Sequence, residues 1–360
     1  MTRMIASARR LRQEAFLFNH VYSWTELCGA LTRNNLLLCS IALFALLAYP
    51  VATKSQVVSS TPQNHSNDSY TIRVNANLVI LSTTVLNRHN ALVSGLVKDD
   101  FQIYEDHILQ QIKDFSHEDL PVTVGLVIDN SLSMAPKHAD VIAAALSFAR
   151  LSNPQDQMFV VNFNENVSYG LPANIPFTDK LDQLQLALSD IKASGETALY
   201  DAIAVSLDHL QQGKHDKIVL VLISDGGDNA SKHTMAQVIE MARRSGAIIY
   251  TIGIFDEQDS DQNPGVLKRF AKETGGESFF PESSKELDLI CEAIARDIRN
   301  QYTLAYVPTS TKQDGAYRII DVKVSSPGHG RLSARTRAGY FVPLTLPISG
   351  FETAGHDSHN

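Results

Sequence analysis

The stretch Val124-Gly-Leu-Val-Ile-Asp129-Asn-Ser131-Leu-Ser133-Met134 decides how this chain is read. Val124 to Ile128 is an almost uninterrupted apolar run, the pattern of a parallel strand covered on both faces. It ends abruptly in one carboxylate and two hydroxyls at alternate positions, Asp129, Ser131 and Ser133. A loop turning off the strand end folds these three around a single point, and hard oxygen ligands suit a hard cation such as Mg²⁺. Short Asp/Ser runs also make ordinary strand-to-helix turns, so the motif needs partners. Two are present. Ile218-Val-Leu-Val-Leu-Ile-Ser-Asp225-Gly-Gly is a second apolar run ending in a carboxylate, and Thr197 opens a helical run in Ser194-Gly-Glu-Thr-Ala-Leu-Tyr-Asp201.

Outward from these motifs, residues 121–298 alternate strand and helix. Strands are expected at 122–129, 157–163, 217–224, 247–254 and 277–281, and helices at 137–151, 180–192, 198–212, 233–245, 264–274 and 284–298. Residues 199, 202, 203, 207 and 210 form an apolar stripe at helical spacing. This alternation predicts an α/β fold with a doubly wound, mostly parallel, Rossmann-like sheet. Ligands of such sheets bind beyond the carboxyl ends of the strands, at the switch point. Asp129 and Asp225 sit at two such ends.

The flanks read differently. Residues 70–118 carry β-rich runs at 70–74, 78–81, 83–86, 101–105 and 111–115, which look like a small antiparallel sheet. Alternating strands return at 302–307, 317–324 and 331–337, with 339–343 closing the fold. Neither flank has enough strands alone. The expectation is that 70–118 and 300–343 pair into one small β-sandwich with the α/β domain, 121–298, inserted between them. Residues 344–360 read as a disordered tail. At the other end, 1–35 is polar and mildly basic, and 36–52 carries no charge. A helix of that length spans about 25 Å, enough for a hydrocarbon core. Arginines dominate its leading flank, which places 1–35 in the cytoplasm and the folded part outside it. The segment 36–52 is read as a transmembrane signal anchor, with a cleaved signal peptide and a secreted product as the alternative. Residues 53–69, rich in Ser, Thr, Asn and Gln, form a linker.

Composition narrows the function. A net charge of −8, with no Lys/Arg run, argues against nucleic acid as a partner. Of three cysteines only Cys291 lies in the folded part, so no intramolecular disulfide forms there. No H-x-x-x-H or H-E-x-x-H is present, which argues against zinc. No G-x-S-x-G, P-loop or G-x-G-x-x-G is present either. A strand-end Asp serves as nucleophile in dehalogenase-type phosphatases, but these need a second Asp two residues on, where this chain has Ser131. The chain is therefore read as a binding protein and not as an enzyme, a metal-dependent hydrolase being the remote alternative.

The set of D-x-S-x-S at 129–133, Thr197 and Asp225, in that order, resembles the von Willebrand factor type A (VWA) domain. The resemblance implies a metal-ion-dependent adhesion site built from Asp129, Ser131, Ser133, Thr197 and Asp225, holding Mg²⁺, Mn²⁺ or Ca²⁺. It implies that an open metal position accepts an Asp or Glu carboxylate of a partner protein. Leu132 departs from the pattern, since many members have Gly there, but it is not a ligand position. Asp201 and Asp228 are either residues holding the hydroxyls and loops in place or an ordinary helix and turn residue. The acidic loop 255–264 (Asp256, Glu257, Asp259, Asp261) is a second cation site, a ligand-selecting rim or a solvated loop. The wider pattern, with Leu96-Val-Lys-Asp-Asp-Phe-Gln-Ile-Tyr-Glu-Asp106, Gln301-Tyr-Thr-Leu-Ala-Tyr306 and Arg335-Thr-Arg-Ala-Gly-Tyr340, is similar to the exported VWFA-related proteins common in Acidobacteria. The expected function is an exported, membrane-anchored, metal-dependent protein-interaction module. A structural scaffold of an envelope assembly with an idle metal site is the alternative.

Overall fold

The first strands are β1 (Val79–Asn87), β2 (Phe101–Glu105), β3 (Ile108–Gln110) and β4 (Ile112–Ser116). A computed structural model describes residues 78–189, 193–255 and 261–344. The expected cytoplasmic segment, anchor and linker at 1–69, the run 70–74 and the tail beyond 344 lie outside these, as do Asp256, Glu257 and Asp259. Among the described residues no helix is long and apolar enough to cross a membrane. β2 and β3 form a hairpin whose turn residues, Asp106 and His107, both have positive φ (47° and 69°).

The α/β part follows as β5 (Thr123–Asp129), α1 (His138–Leu151), β6 (Gln157–Phe163), β7 (Val167–Tyr169), α2 (Leu181–Ser189), α3 (Leu199–Leu210), β8 (Ile218–Ser224), α4 (Met235–Ser245), β9 (Ile248–Gly253), α5 (Pro264–Thr274), β10 (Ser278–Phe279) and α6 (Ser284–Arg299). The strand order is β10-β9-β8-β5-β6-β7. All pairings are parallel except that of β7, which turns back on β6 and makes the sheet mixed. Every residue of β5, β6 and β8 is buried, because helices cover both faces. The helix ends are specified locally. Thr234 and Gln237 form a reciprocal capping box at the start of α4, and Asn263 caps α5 just before Pro264. Gly246 and Gly275 end these two helices in the left-handed conformation.

The chain closes with β11 (Tyr302–Tyr306), β12 (Tyr317–Val324), β13 (Leu332–Arg335) and β14 (Gly339–Phe341). The two flanks interleave as two four-stranded sheets, β13-β1-β11-β4 and β14-β12-β2-β3. They share one core that includes Leu81, Ile103, Tyr302, Leu304 and Ile320. A buried ion pair lies within it: Arg318 donates to Glu105 at 2.6 Å, and the hydroxyls of Tyr306 and Tyr340 donate to the same carboxylate at 2.6 and 3.0 Å. The four N-terminal strands do not make a sheet of their own. The runs at 78–81 and 83–86 are a single strand, and 111–115 belongs to β4, with a separate short β3 before it. At the junction with the α/β part, the buried Asp297 of α6 accepts from Thr84 Oγ1 (2.6 Å) and Tyr250 OH (2.8 Å). It is also ion-paired to Arg335, which bridges to Glu277.

Candidate metal centre

The sheet reverses its direction of winding between β5 and β8. From β5 the chain crosses to β6 on one side, and from β8 it proceeds to β9 and β10 on the other. The carboxyl ends of β5 and β8 therefore frame the switch-point crevice, and Asp129 closes β5 there while Asp225 directly follows β8.

Asp129 is 0% exposed. Its Oδ1 accepts from the Ser131 N–H at 2.9 Å and its Oδ2 from Ser224 Oγ at 2.6 Å. Burial pushes its carboxyl up to about 7, against the pull of the Ser131 and Ser224 hydrogen bonds, and the neighbouring Asp225 charge pushes further in the same direction. Asp225 accepts from Ser133 Oγ (2.6 Å) and from the Gly227 N–H (2.9 Å). The Ser131 and Ser133 hydroxyls lie 3.1 Å apart. Asp129, Ser131, Ser133 and Asp225 are thus one connected oxygen cluster. Among the described residues no Lys, Arg or His forms an ion pair with either carboxylate.

Thr197 belongs to a third loop, laced to the other two through its backbone. Leu132 N–H donates to Gly195 O and Ser194 N–H to Asn130 O, at 3.2 and 2.9 Å. Thr197 N–H donates to Asn229 Oδ1 at 2.8 Å, and the N–H groups of Asn229 and Ala230 both donate to Thr197 O. No hydrogen bond among the described residues joins the Thr197 hydroxyl to the other four side chains. Gly226 has φ +83°, and a Cβ there would lie 2.4 Å from Asn263 O, so only glycine fits where the chain turns past Asp225.

Asp201 and Asp228 hold loops. Asp228 accepts from Tyr200 N–H in the first turn of α3 (3.1 Å) and from Ser231 Oγ (2.5 Å). Asp201 accepts from the N–H groups of Lys232 and His233 and from the His233 ring at 2.7 Å. Burial works upward on Asp201, but these donors outweigh it and hold its carboxyl below the usual range.

Several supporting residues carry no motif. Asn130 donates to Ile128 O and to Asn162 Oδ1, and its own Oδ1 lies 2.8 Å from His138 Nε2. Glu165, in the turn between β6 and β7, accepts from Glu196 N–H and fills the space a side chain at Gly195 would need. Ser224 is legible only as a lone hydroxyl closing an apolar strand.

Residues 124–227 match the family model of the von Willebrand factor type A domain, a span that holds Asp129, Ser131, Ser133, Thr197 and Asp225. The chain carries a VWA domain. Among solved structures, an aerotolerance-related membrane protein from Bacteroides fragilis is 17% identical, with a TM-score of 0.41 over 49% of this chain and 98% of that one. Proximal thread matrix protein 1 from the mussel byssus is 15% identical, with a TM-score of 0.43 over 51% of this chain and 50% of that one. A von Willebrand factor type A protein from Catenulispora acidiphila is 12% identical, with a TM-score of 0.44 over 76% of this chain and 75% of that one. No curated protein matches the chain in sequence. On the VWA domain's exposed rim, Leu132 stands 65% exposed between Ser131 and Ser133. Among the described residues no three His, Cys, Asp or Glu side chains gather as a metal cluster, so any cation here rests on hydroxyls and on two carboxylates.

Proposed function

We propose that the VWA domain is a protein-interaction module that works through a divalent cation held by Asp129, Ser131, Ser133, Asp225 and Thr197. One observation carries this reading: two carboxylates and two hydroxyls converge at the switch point with no cationic side chain paired to them. Bringing carboxylates together in a buried place without a counter-charge is costly. A small hard cation removes that cost, and the donor set, all oxygen with two formal negative charges, fits Mg²⁺ or Mn²⁺. The bound ion supplies a coordination position for a carboxylate of a partner protein. The chain's own residues do the rest. Ser224 and the Ser131 N–H fix both oxygens of Asp129. Gly227 N–H orients Asp225. Asn229 fixes the Thr197 backbone, and Asp228 pins the start of α3 to the loop after β8. From the uncharged run at 36–52 and the arginines before it, we infer separately that this segment anchors the chain in a membrane with the VWA domain on the extracytoplasmic side.

Calorimetric titration of Mn²⁺ and Mg²⁺ into the full chain tests this, beside Asp129→Ala and Asp225→Ala. Saturable binding that both substitutions abolish, without loss of the folded state, is the expected outcome. At a cation concentration one hundred times its Kd, the melting transition gains about 2.7 kcal/mol. A partner captured equally well in chelator would overturn the metal-dependent reading and favour the scaffold.

A further inference from the structure

We propose that the wedge-shaped cleft between the outer face of β1 and the amino-terminal edge of the parallel sheet binds a small amphiphile with a single anionic head. The cleft encloses about 510 Å³, within the range of sites that take small organic ligands. It lies at the opposite end of β5 from Asp129, roughly 20 Å away at about 3.3 Å per residue. It does not draw on the metal centre.

Two walls make the wedge. One is the outer face of β1, with Leu78, Ile80 and Ser82. The other is the start of the parallel strands, with Pro121, Ile218 and Ile248. Leu78, Ile80 and Leu120 are 49%, 50% and 47% exposed. Three large apolar side chains left open around one cleft are suited to covering the body of a non-polar ligand.

The polar lining is unfinished. Gln301 is 3% exposed, and its amide nitrogen donates to Thr84 Oγ1 and Tyr250 OH, both at 3.2 Å. That fixes the amide; its Oε1 has no partner, but as an acceptor it does not bind an anionic head, which falls to Arg337. Arg337 donates through Nη2 to Ile80 O at 3.1 Å, while its Nε has no partner. Among the described residues no carboxylate pairs with Arg337, and the groups acting on it are burial and the phenols of Tyr306, Tyr340 and Tyr317. Lys217, on the same wall, differs: it donates to Ile298 O and has Asp297, Asp119 and Asp156 around it. Lys214, His215, Glu118 and Asp216 line the cleft too. With His215 neutral, the three cations Lys214, Lys217 and Arg337 set against the two carboxylates leave one net positive charge, and Arg337 is the cation beside β1 that no carboxylate among the described residues pairs. Helices α4 and α5 end beside this wall, at Ser245 and Thr274, and their carbonyl ends offset part of its charge. A monocarboxylate on an apolar chain matches this balance, and a polyanion does not.

The test uses a photoreactive diazirine analogue of decanoate on the full chain, with cross-linked peptides mapped by mass spectrometry. Labelling is expected on peptides carrying Ile80, Leu120 and Ile248, in chelator as in Mg²⁺. Decanoate competes, and decanol competes at least about tenfold less well, the usual worth of a charged hydrogen bond. Arg337→Gln weakens decanoate competition about tenfold. Leu120→Trp narrows the mouth and removes labelling at an unchanged melting temperature, which decides the matter if Arg337→Gln does not fold. Equal competition by decanol, no label on these peptides, or undiminished label in both variants would overturn the proposal.

Discussion

Ser224 shows how much of the proposed cation site rests on a residue that is not itself one of the proposed ligands. Its hydroxyl gives its proton to Asp129 Oδ2 and accepts the Gly226 N–H at 3.0 Å, tying the ends of β5 and β8 together. Groups that orient ligands in this way are worth 10–100-fold in metal affinity. Ser224→Ala is expected to lower Mn²⁺ affinity by about that factor, while the loss of a buried hydrogen bond costs about 1–2 kcal/mol of stability; titration and urea unfolding separate the two effects. Lys217 yields a second prediction. Burial brings its ammonium down from 10.5 to about 8, against the opposing charges of Asp297, Asp119 and Asp156. The folded state disfavours the charged form, so below pH 8 the penalty is fully present. Above pH 8 the folded protein sheds the proton while the unfolded chain still holds it, and stability rises towards pH 10.5. Lys217→Met should therefore melt higher than the wild type at neutral pH. The gap is expected to close by roughly 2 kcal/mol between pH 8 and about 9.5; a gap independent of pH would contradict the assignment.

At the level of elements, the turn after β8 is the most tightly specified piece of the site. Gly226→Ala places a Cβ against Asn263 O in a left-handed backbone. The expected cost is about 2–4 kcal/mol, from the strained conformation and the displaced α5 cap together, read as a lower midpoint in urea with an unchanged slope. The elements that carry Asp129 and Asp225 were legible in the sequence because burial on both faces leaves an unbroken apolar run, as in Val124–Ile128 and Ile218–Ile223. The stripe on α3 was legible for the same reason: Leu199, Ala202, Ile203, Leu207 and Leu210 are all buried. β1 was not read as one strand because Thr84 is buried against Asp297 while Val85 is buried in the sheet core, and a strand buried on both faces loses its alternation. β7 has three residues at a sheet edge, too few to show any period. Glu165 and Asn229 escaped notice because their partners come from other loops. A polar residue serving a distant backbone N–H leaves no local pattern.

Across the whole molecule, one buried carboxylate joins the flanking sheets to the VWA domain. Asp297 takes hydrogen bonds from Thr84 and Tyr250 and an ion pair from Arg335. Removing a member of such a set leaves the other charge buried, which costs about 3–5 kcal/mol. Asp297→Ala is expected to lower the melting temperature and to split a single calorimetric transition into two, the flanking sheets melting first. An unsplit transition would mean that packing alone couples the two parts. The order of the chain adds a consequence in time. β11 is the central strand between β1 and β4, and β12 lies between β2 and β14, yet both come after the whole inserted domain. As the chain emerges from the ribosome, β1 and β4 wait with open edges while the inserted domain is made, which at about 5–20 residues per second lasts roughly 10–35 seconds. Unpaired edges are templates for wrong pairing. The insertion therefore sets a window in nascent-chain life during which the edges of the first strands stand open.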